Sequence, residues 1–221
     1  MDQYAYNNRL EKDWNFTDRV HKKASDLIYK KNIKIEKATL KQDCNEGIDY
    51  WATTESGKKF AIQERFRTKN KFTVNSREFT LRYKRPDSIS ANQNKSEFFK
   101  IKADMLLYGI TNNESTDDLE IGFKRYVVVD LNELMRAIKD GKILIDENPN
   151  NNRNAPYLSK NQIYAVVKKN HEQSSNNSQL VIFNAVHVMA LTAQGYHIIK
   201  KEDGYIKNFS NEFIKRKVAS M

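Results

Sequence analysis

Apolar residues recur along the chain with two different periods. Phe16, Val20, Ala24, Leu27 and Lys31 follow one another at three- and four-residue steps. That spacing predicts a helix from a Thr17 cap to about Lys31, behind a polar, partly helical lead-in. Ile33–Leu40 then alternates like a strand, and Gln42–Gly47 carries turn chemistry. Ile48–Thr53 and Lys59–Arg67 read as two strands joined by a turn at Glu55–Lys58. In the second of these, Phe60, Ile62, Glu64 and Phe66 point one way, and Lys59, Ala61, Gln63, Arg65 and Arg67 the other. Glu78–Arg85 alternates again and is expected to extend the same meander.

Further on, Ser96–Lys102 suits a short helix, and Met105–Ile110 and Arg125–Asp130 read as central strands. Leu131–Lys142 is predicted helical, with Leu131, Leu134, Met135 and Ile138 inward and Gly141 at its end. Asp146–Asn154 and His171–Ser178 read as loops, Leu180–Phe183 as a strand, and Ser210 as the cap of a last basic helix. The prediction is an α/β fold (α+β remaining open) with a central mixed sheet flanked by helices. One domain over 1–221 is expected, its motifs within about 17–142 and an extension of unassigned role at about 143–221.

Composition narrows the function classes. Of 221 residues 39% are hydrophobic and 30% charged, and no apolar run is long enough to cross a bilayer. The start lacks the apolar core of a signal peptide, and Cys44 has no cysteine to pair with. A cytoplasmic, intracellular protein with no membrane partner is the expectation. The net charge of +10 is unevenly spread. Lys58–Arg85 holds ten basic residues against two acidic, Arg19–Lys37 seven against two, and Asp104–Glu147 five against ten. Stripes of this kind suit a polyanion.

Asp49 on one arm of the predicted hairpin faces Gln63, Glu64 and Arg65 on the other. Adjacent strands lie about 4.8 Å apart, so these side chains can meet at one point. Converging oxygen ligands there can hold Mg²⁺ or Mn²⁺, and a nearby cation can stabilise charge on a phosphate. An Asp alone in such a place is more often a turn or solvated residue.

Gly-Ile-Asp on one strand, then an acid-x-base tripeptide on the next and a basic helix upstream, resembles the PD-(D/E)XK nuclease superfamily. The resemblance covers roughly residues 17–112 and implies a restriction-endonuclease-like core. It implies a Mg²⁺- or Mn²⁺-dependent endonuclease hydrolysing DNA phosphodiester bonds, on double-stranded DNA and commonly as a homodimer. Asp49 matches the first metal ligand. Gln63-Glu64-Arg65 stands where the family has Glu-x-Lys. Either Gln63 is the second ligand with Arg65 in the lysine's place, or Glu64 is the acid and the base is missing. Arginine stays protonated, which favours an electrostatic role for Arg65. Asp104 and Glu46 are further acids near the motif, each with an ordinary structural explanation. Lys22, Lys23, Arg67, Lys69, Lys71, Arg82, Lys84 and Arg85 are expected on the nucleic-acid backbone. A non-catalytic nucleic-acid-binding protein and a basic protein-interaction module are the alternatives.

The four histidines, His21, His171, His187 and His197, form no zinc pattern, and seven glycines include no phosphate loop or Gly-x-Ser-x-Gly elbow. Zinc hydrolases, P-loop enzymes and serine hydrolases of that type are therefore not expected.

Overall fold

The computed structural model describes residues 3–29, 32–69, 77–85, 96–115, 122–148, 155–159, 162–169 and 178–203. Helix α1 (Gln3–Leu27) begins well before the predicted cap, so Thr17 lies inside it. Its buried stripe is Phe16, Val20, Ala24 and Ile28. The stripe advances in steps of four, which leaves Leu27 49% exposed instead of packed.

Strand β1 (Lys34–Lys37) leads into α2 (Leu40–Glu46), in place of the predicted turn. The reason is a capping box: Thr39 accepts the Gln42 N–H while the Gln42 side chain accepts the Thr39 N–H, satisfying two donors at the helix start. Gly47 ends α2 in the left-handed region, at φ 62°. Strands β2 (Tyr50–Thr53) and β3 (Lys59–Arg67) form the predicted hairpin. The chain continues through β4 (Glu78–Arg82), α3 (Glu97–Lys100), β5 (Met105–Thr111), β6 (Phe123–Asp130) and α4 (Leu131–Lys139). Asp130 caps α4 by accepting the Glu133 N–H. Then come β7 (Ile143–Asp146), β8 (Tyr157–Ser159), β9 (Gln162–Lys169), β10 (Gln179–Asn184), α5 (Ala185–Ala190) and β11 (Ile199–Asp203).

The fold is α/β, built on two mixed sheets. The first runs β1-β2-β3-β5-β6-β11, antiparallel throughout except for the parallel pair β3–β5. The second runs β4-β10-β9-β7, with β8 added on β9. Strand β4 therefore does not extend the meander as expected. It pairs with β10, Phe79 opposite Phe183, and their rings stack at 5.1 Å. Local alternation reports that a segment is a strand but not which strand it joins. Residues after 142 supply β7 to β10 of the second sheet and the edge strand β11 of the first. The predicted last helix at Ser210 lies outside the described residues.

The main core fills the space between the sheets. Ala61, Leu106, Tyr108, Val127 and Val129 of the first meet Phe79, Leu81, Val181, Phe183 and Ala165 of the second, and α4 adds Leu131 and Leu134. The opposite face of the first sheet carries Tyr50, Ala52, Ile62 and Leu107, and α1 covers it with Ala24 and Ile28. Successive residues of β3 thus face different layers, α1 on one side and the second sheet on the other. No described helix is long and apolar enough to cross a membrane.

Candidate metal and nucleic-acid site

The site sits where β2 and β3 part. Their pairing ends at Tyr50 and Ile62, with one further bond from the Asp49 N–H to the Ile62 carbonyl at 2.8 Å. Strand β3 runs on to Arg67, so the Glu64 N–H loses its strand partner on that side. The Asp49 carboxylate replaces it, Oδ2 accepting that N–H at 2.6 Å. A charge-assisted bond to backbone fixes Asp49 at the fork.

Helix α2 brings a second acid to the same place. Asp43 lies close enough to Asp49 for their charges to interact. Burial pushes Asp49 up to about 7, and the charges of Asp43, Glu64 and Glu97 add to this against the Glu64 N–H. Partial burial also raises Asp43, and the charge of Glu97 does so too, opposed by Asp49, Lys37 and Arg82. Neighbouring carboxylates repel one another, and a bound cation relieves that repulsion.

Gln63 is the next residue of β3 after the last ladder pair. Its Oε1 is buried and has no hydrogen-bond partner among the described residues. A Cβ on residue 47 would lie 2.9 Å from that oxygen. Glycine is needed there twice, for its positive φ and for the room it leaves Gln63.

Arg65 follows on the same face, and its Nη1 donates to Glu97 Oε2 at 2.8 Å. That oxygen also accepts the Arg82 backbone N–H at 3.0 Å, so α3 ties the first sheet to β4. The Arg65 and Glu97 side chains are 11% and 9% exposed. Burial and the charge of Arg65 lower Arg67, with Tyr108 and Glu97 opposing. Arg82 is lowered to about 10 by burial and by Arg65, with Glu97 opposing. Arg65 thus pairs with the Glu97 carboxylate, and Arg67 and Arg82 are close enough to feel its charge.

Glu64 points the other way. Its side chain is fully buried against α1, where His21 and Tyr29 hold it. The structure therefore brings Asp49, Gln63 and Arg65 to one face and turns Glu64 to the other. Nor does Glu64 pair with Arg82 or Lys84 across a sheet, because β4 belongs to the second sheet.

Among the backbone-binding candidates, Lys22 is exposed and Lys23 half-buried. Lys69 pairs with Glu114 at 2.7 Å and Lys84 with Glu147 at 2.6 Å. Arg67, Arg82 and Arg85 are half-buried, and Lys71 is outside the described residues. Asp104 accepts the Ala61 N–H and an Asn132 amide, joining strand to helix, while Glu46 pairs with Lys102 at 2.9 Å.

The chain matches no family model and no curated protein.

Sequence patterns alone do not single out Asp43 and Glu97. The Thr39-x-x-Gln42 pattern is the one signal that discloses α2 and so places Asp43 within a helix beside Asp49. No local pattern marks Glu97, whose partners lie on β3 and β4. Among the described residues no three His, Cys, Asp or Glu side chains converge as a metal group. Two carboxylates and an amide oxygen nevertheless form the hard donor set that Mg²⁺ or Mn²⁺ takes. The uncommitted Gln63 oxygen fits that use, since a buried acceptor without a donor is rare unless a ligand satisfies it.

Proposed function

We propose that this protein hydrolyses phosphodiester bonds of nucleic acid, double-stranded DNA being the favoured substrate, using Mg²⁺ or Mn²⁺. The observation that carries the reading is the buried, uncommitted Gln63 oxygen beside Asp49, whose carboxyl is pushed up to about 7 by burial and by the neighbouring charge of Asp43. Asp49, Asp43 and Gln63 would hold the ion, and the resemblance to PD-(D/E)XK nucleases supports Asp49 and Gln63 in this role. When bound, such an ion lowers the pKa of water and offsets charge at the phosphate. A bound cation would favour the ionised Asp49 carboxylate over its protonated form. Arg65 and Arg82 supply positive charge next to the fork, and being permanently protonated they stabilise the phosphate without accepting a proton. Exposed lysines of α1 attract the polyanion from outside.

A second reading, a nucleic-acid-binding protein without cleavage, is favoured by one observation. Arg65 is committed to Glu97 at 2.8 Å and would have to share that bond with a phosphate.

The deciding experiment incubates plasmid, linear duplex, single-stranded DNA and RNA with the protein across Mg²⁺, Mn²⁺ and EDTA. Cleavage that needs the ion and is lost in Asp49→Asn, with duplex binding retained, is the expected result. Binding without cleavage under every condition would select the second reading.

A further inference from the structure

A second polar cluster adjoins the fork, and the proposed reaction leaves it unused. The Glu64 side chain is 0% exposed, on a face it shares with Ile62 and Phe66. Tyr29 donates its hydroxyl to Oε1 at 2.7 Å. His21 Nδ1 lies 2.9 Å from Oε2 and 3.0 Å from Oε1, and since an ionised carboxylate only accepts, that nitrogen carries the proton. The His21 ring also stacks on Tyr50, with centroids 3.7 Å apart and planes 6° from parallel. Tyr50 is the residue after Asp49, and Glu64 is the residue whose N–H holds the Asp49 carboxylate. Helix α1 thus grips β2 through Tyr50 and β3 through Glu64, on both sides of Asp49.

Stability alone does not account for the cluster. An ionised carboxylate loses its hydration when buried, and well-packed apolar residues in place of a buried polar cluster are often as stable or more so. Ile62 and Phe66 demonstrate that this face accepts apolar side chains. What the cluster adds is a fixed orientation for the backbone around Asp49.

We propose that Glu64, held by His21 and Tyr29, is a positioning residue that fixes the Asp49 carboxylate for the metal ion. The inference rests on the reading of Asp49 as a ligand. Outer partners that orient a ligating group typically change metal affinity about 10- to 100-fold.

The test titrates the full-length protein with Mn²⁺ alone, following free Mn²⁺ by electron paramagnetic resonance, alongside melting temperatures. Glu64→Leu and His21→Phe are expected to weaken Mn²⁺ binding about tenfold or more; melting temperature falls as well, because each leaves the remaining members of the buried cluster unmatched. Glu64→Gln still accepts the Tyr29 hydroxyl and is expected to stay within about threefold of wild type. A purely structural cluster lowers the melting temperature but leaves the Mn²⁺ affinity of the folded protein unchanged, and that pattern overturns the proposal. Should Glu64→Leu fail to fold, His21→Phe, which keeps the stack on Tyr50, decides. Wild type that binds no Mn²⁺ removes the metal reading and the positioning role with it. Wild-type binding that the variants leave unchanged removes the positioning role alone.

Discussion

On its α1 side β3 buries one charge, Glu64, whose oxygens receive His21 and Tyr29. On its other side it places Arg65 and Arg67 against Arg82, with Glu97 as the facing carboxylate. The first arrangement is closed, since the charge is matched by donors from α1 and the residues just after it. The second is open. Glu97 Oε1 and the Arg65 and Arg67 Nε atoms are buried without hydrogen-bond partners among the described residues, and positive charge is in excess. Natural interiors leave few buried polar atoms unmatched, and those they leave tend to mark places where a ligand or an ion completes the set. One strand therefore combines a finished support with an unfinished site, and the difference lies in which neighbour each face meets.

Breaking the open side is expected to produce the largest effect. Glu97→Ala leaves Arg65, Arg67 and Arg82 together without their carboxylate, and removal of one partner of a buried ion pair costs about 3–5 kcal/mol. Urea unfolding at pH 7 measures this. A loss below about 1 kcal/mol would mean that the guanidiniums are already well hydrated, and the contrast between the faces would fall.

The next effect concerns pH. The Asp49 carboxyl stands at about 7 in the folded protein against an ordinary value of 3.8. The folded state therefore keeps a proton that the unfolded chain releases. The stability this contributes is fully present below about pH 4 and is lost as pH rises through 7. Asp49→Asn removes the dependence. It is expected to raise stability by about 1–2 kcal/mol at pH 8 and to leave it unchanged or lower at pH 4, read from melting curves across that range. An equal effect at both pH values would place the Asp49 proton elsewhere.

The smallest effect separates charge on α1 from charge already held in an ion pair. Lys22→Ala with Lys23→Ala is expected to flatten the salt dependence of duplex binding by about two units of log K per log salt. Lys84→Ala is expected to change it by less than about one, because Glu147 already holds that ammonium. Equal slopes for both variants would move the binding surface away from α1.

Much of this site is legible in the sequence because its signals are local. The alternation of Lys59–Arg67 by itself separates Gln63 and Arg65 from Glu64, and the Glu55–Lys58 turn brings Asp49 opposite. Both α4 and the β5 and β6 strands follow from short-range patterns as well. What stays hidden depends on partners distant in the chain. The Glu97 carboxylate has meaning only once β4 lies beside β3 across the gap between the sheets. Strands β7 and β9 carry short apolar runs of their own, Ile143–Ile145 and Ile163–Val167, whereas β11 gives no clear local signal. The residues of β11, Ile199–Asp203 with Lys200, Lys201, Glu202 and Asp203, look polar outside the ladder that pairs them. The segment Leu40–Glu46 resembles a turn because Asn45 and Gly47 weigh toward turns, whereas the reciprocal Thr39–Gln42 bonds decide for a helix.

The pairing of β4 with β10 has a consequence for how the chain is made. Five of the six strands of the first sheet lie between residues 34 and 130, so that sheet can assemble early in synthesis. Strand β4 is synthesised in the midst of them, yet its partner at Gln179–Asn184 arrives much later. Until then Phe79 and Leu81 wait on a strand with an open edge, the kind of surface that neighbouring chains capture. A nascent chain halted before Gln179 would hold a nearly complete first sheet and an uncovered strand, which makes the interval before β10 emerges the period of greatest exposure to self-association and to chaperones.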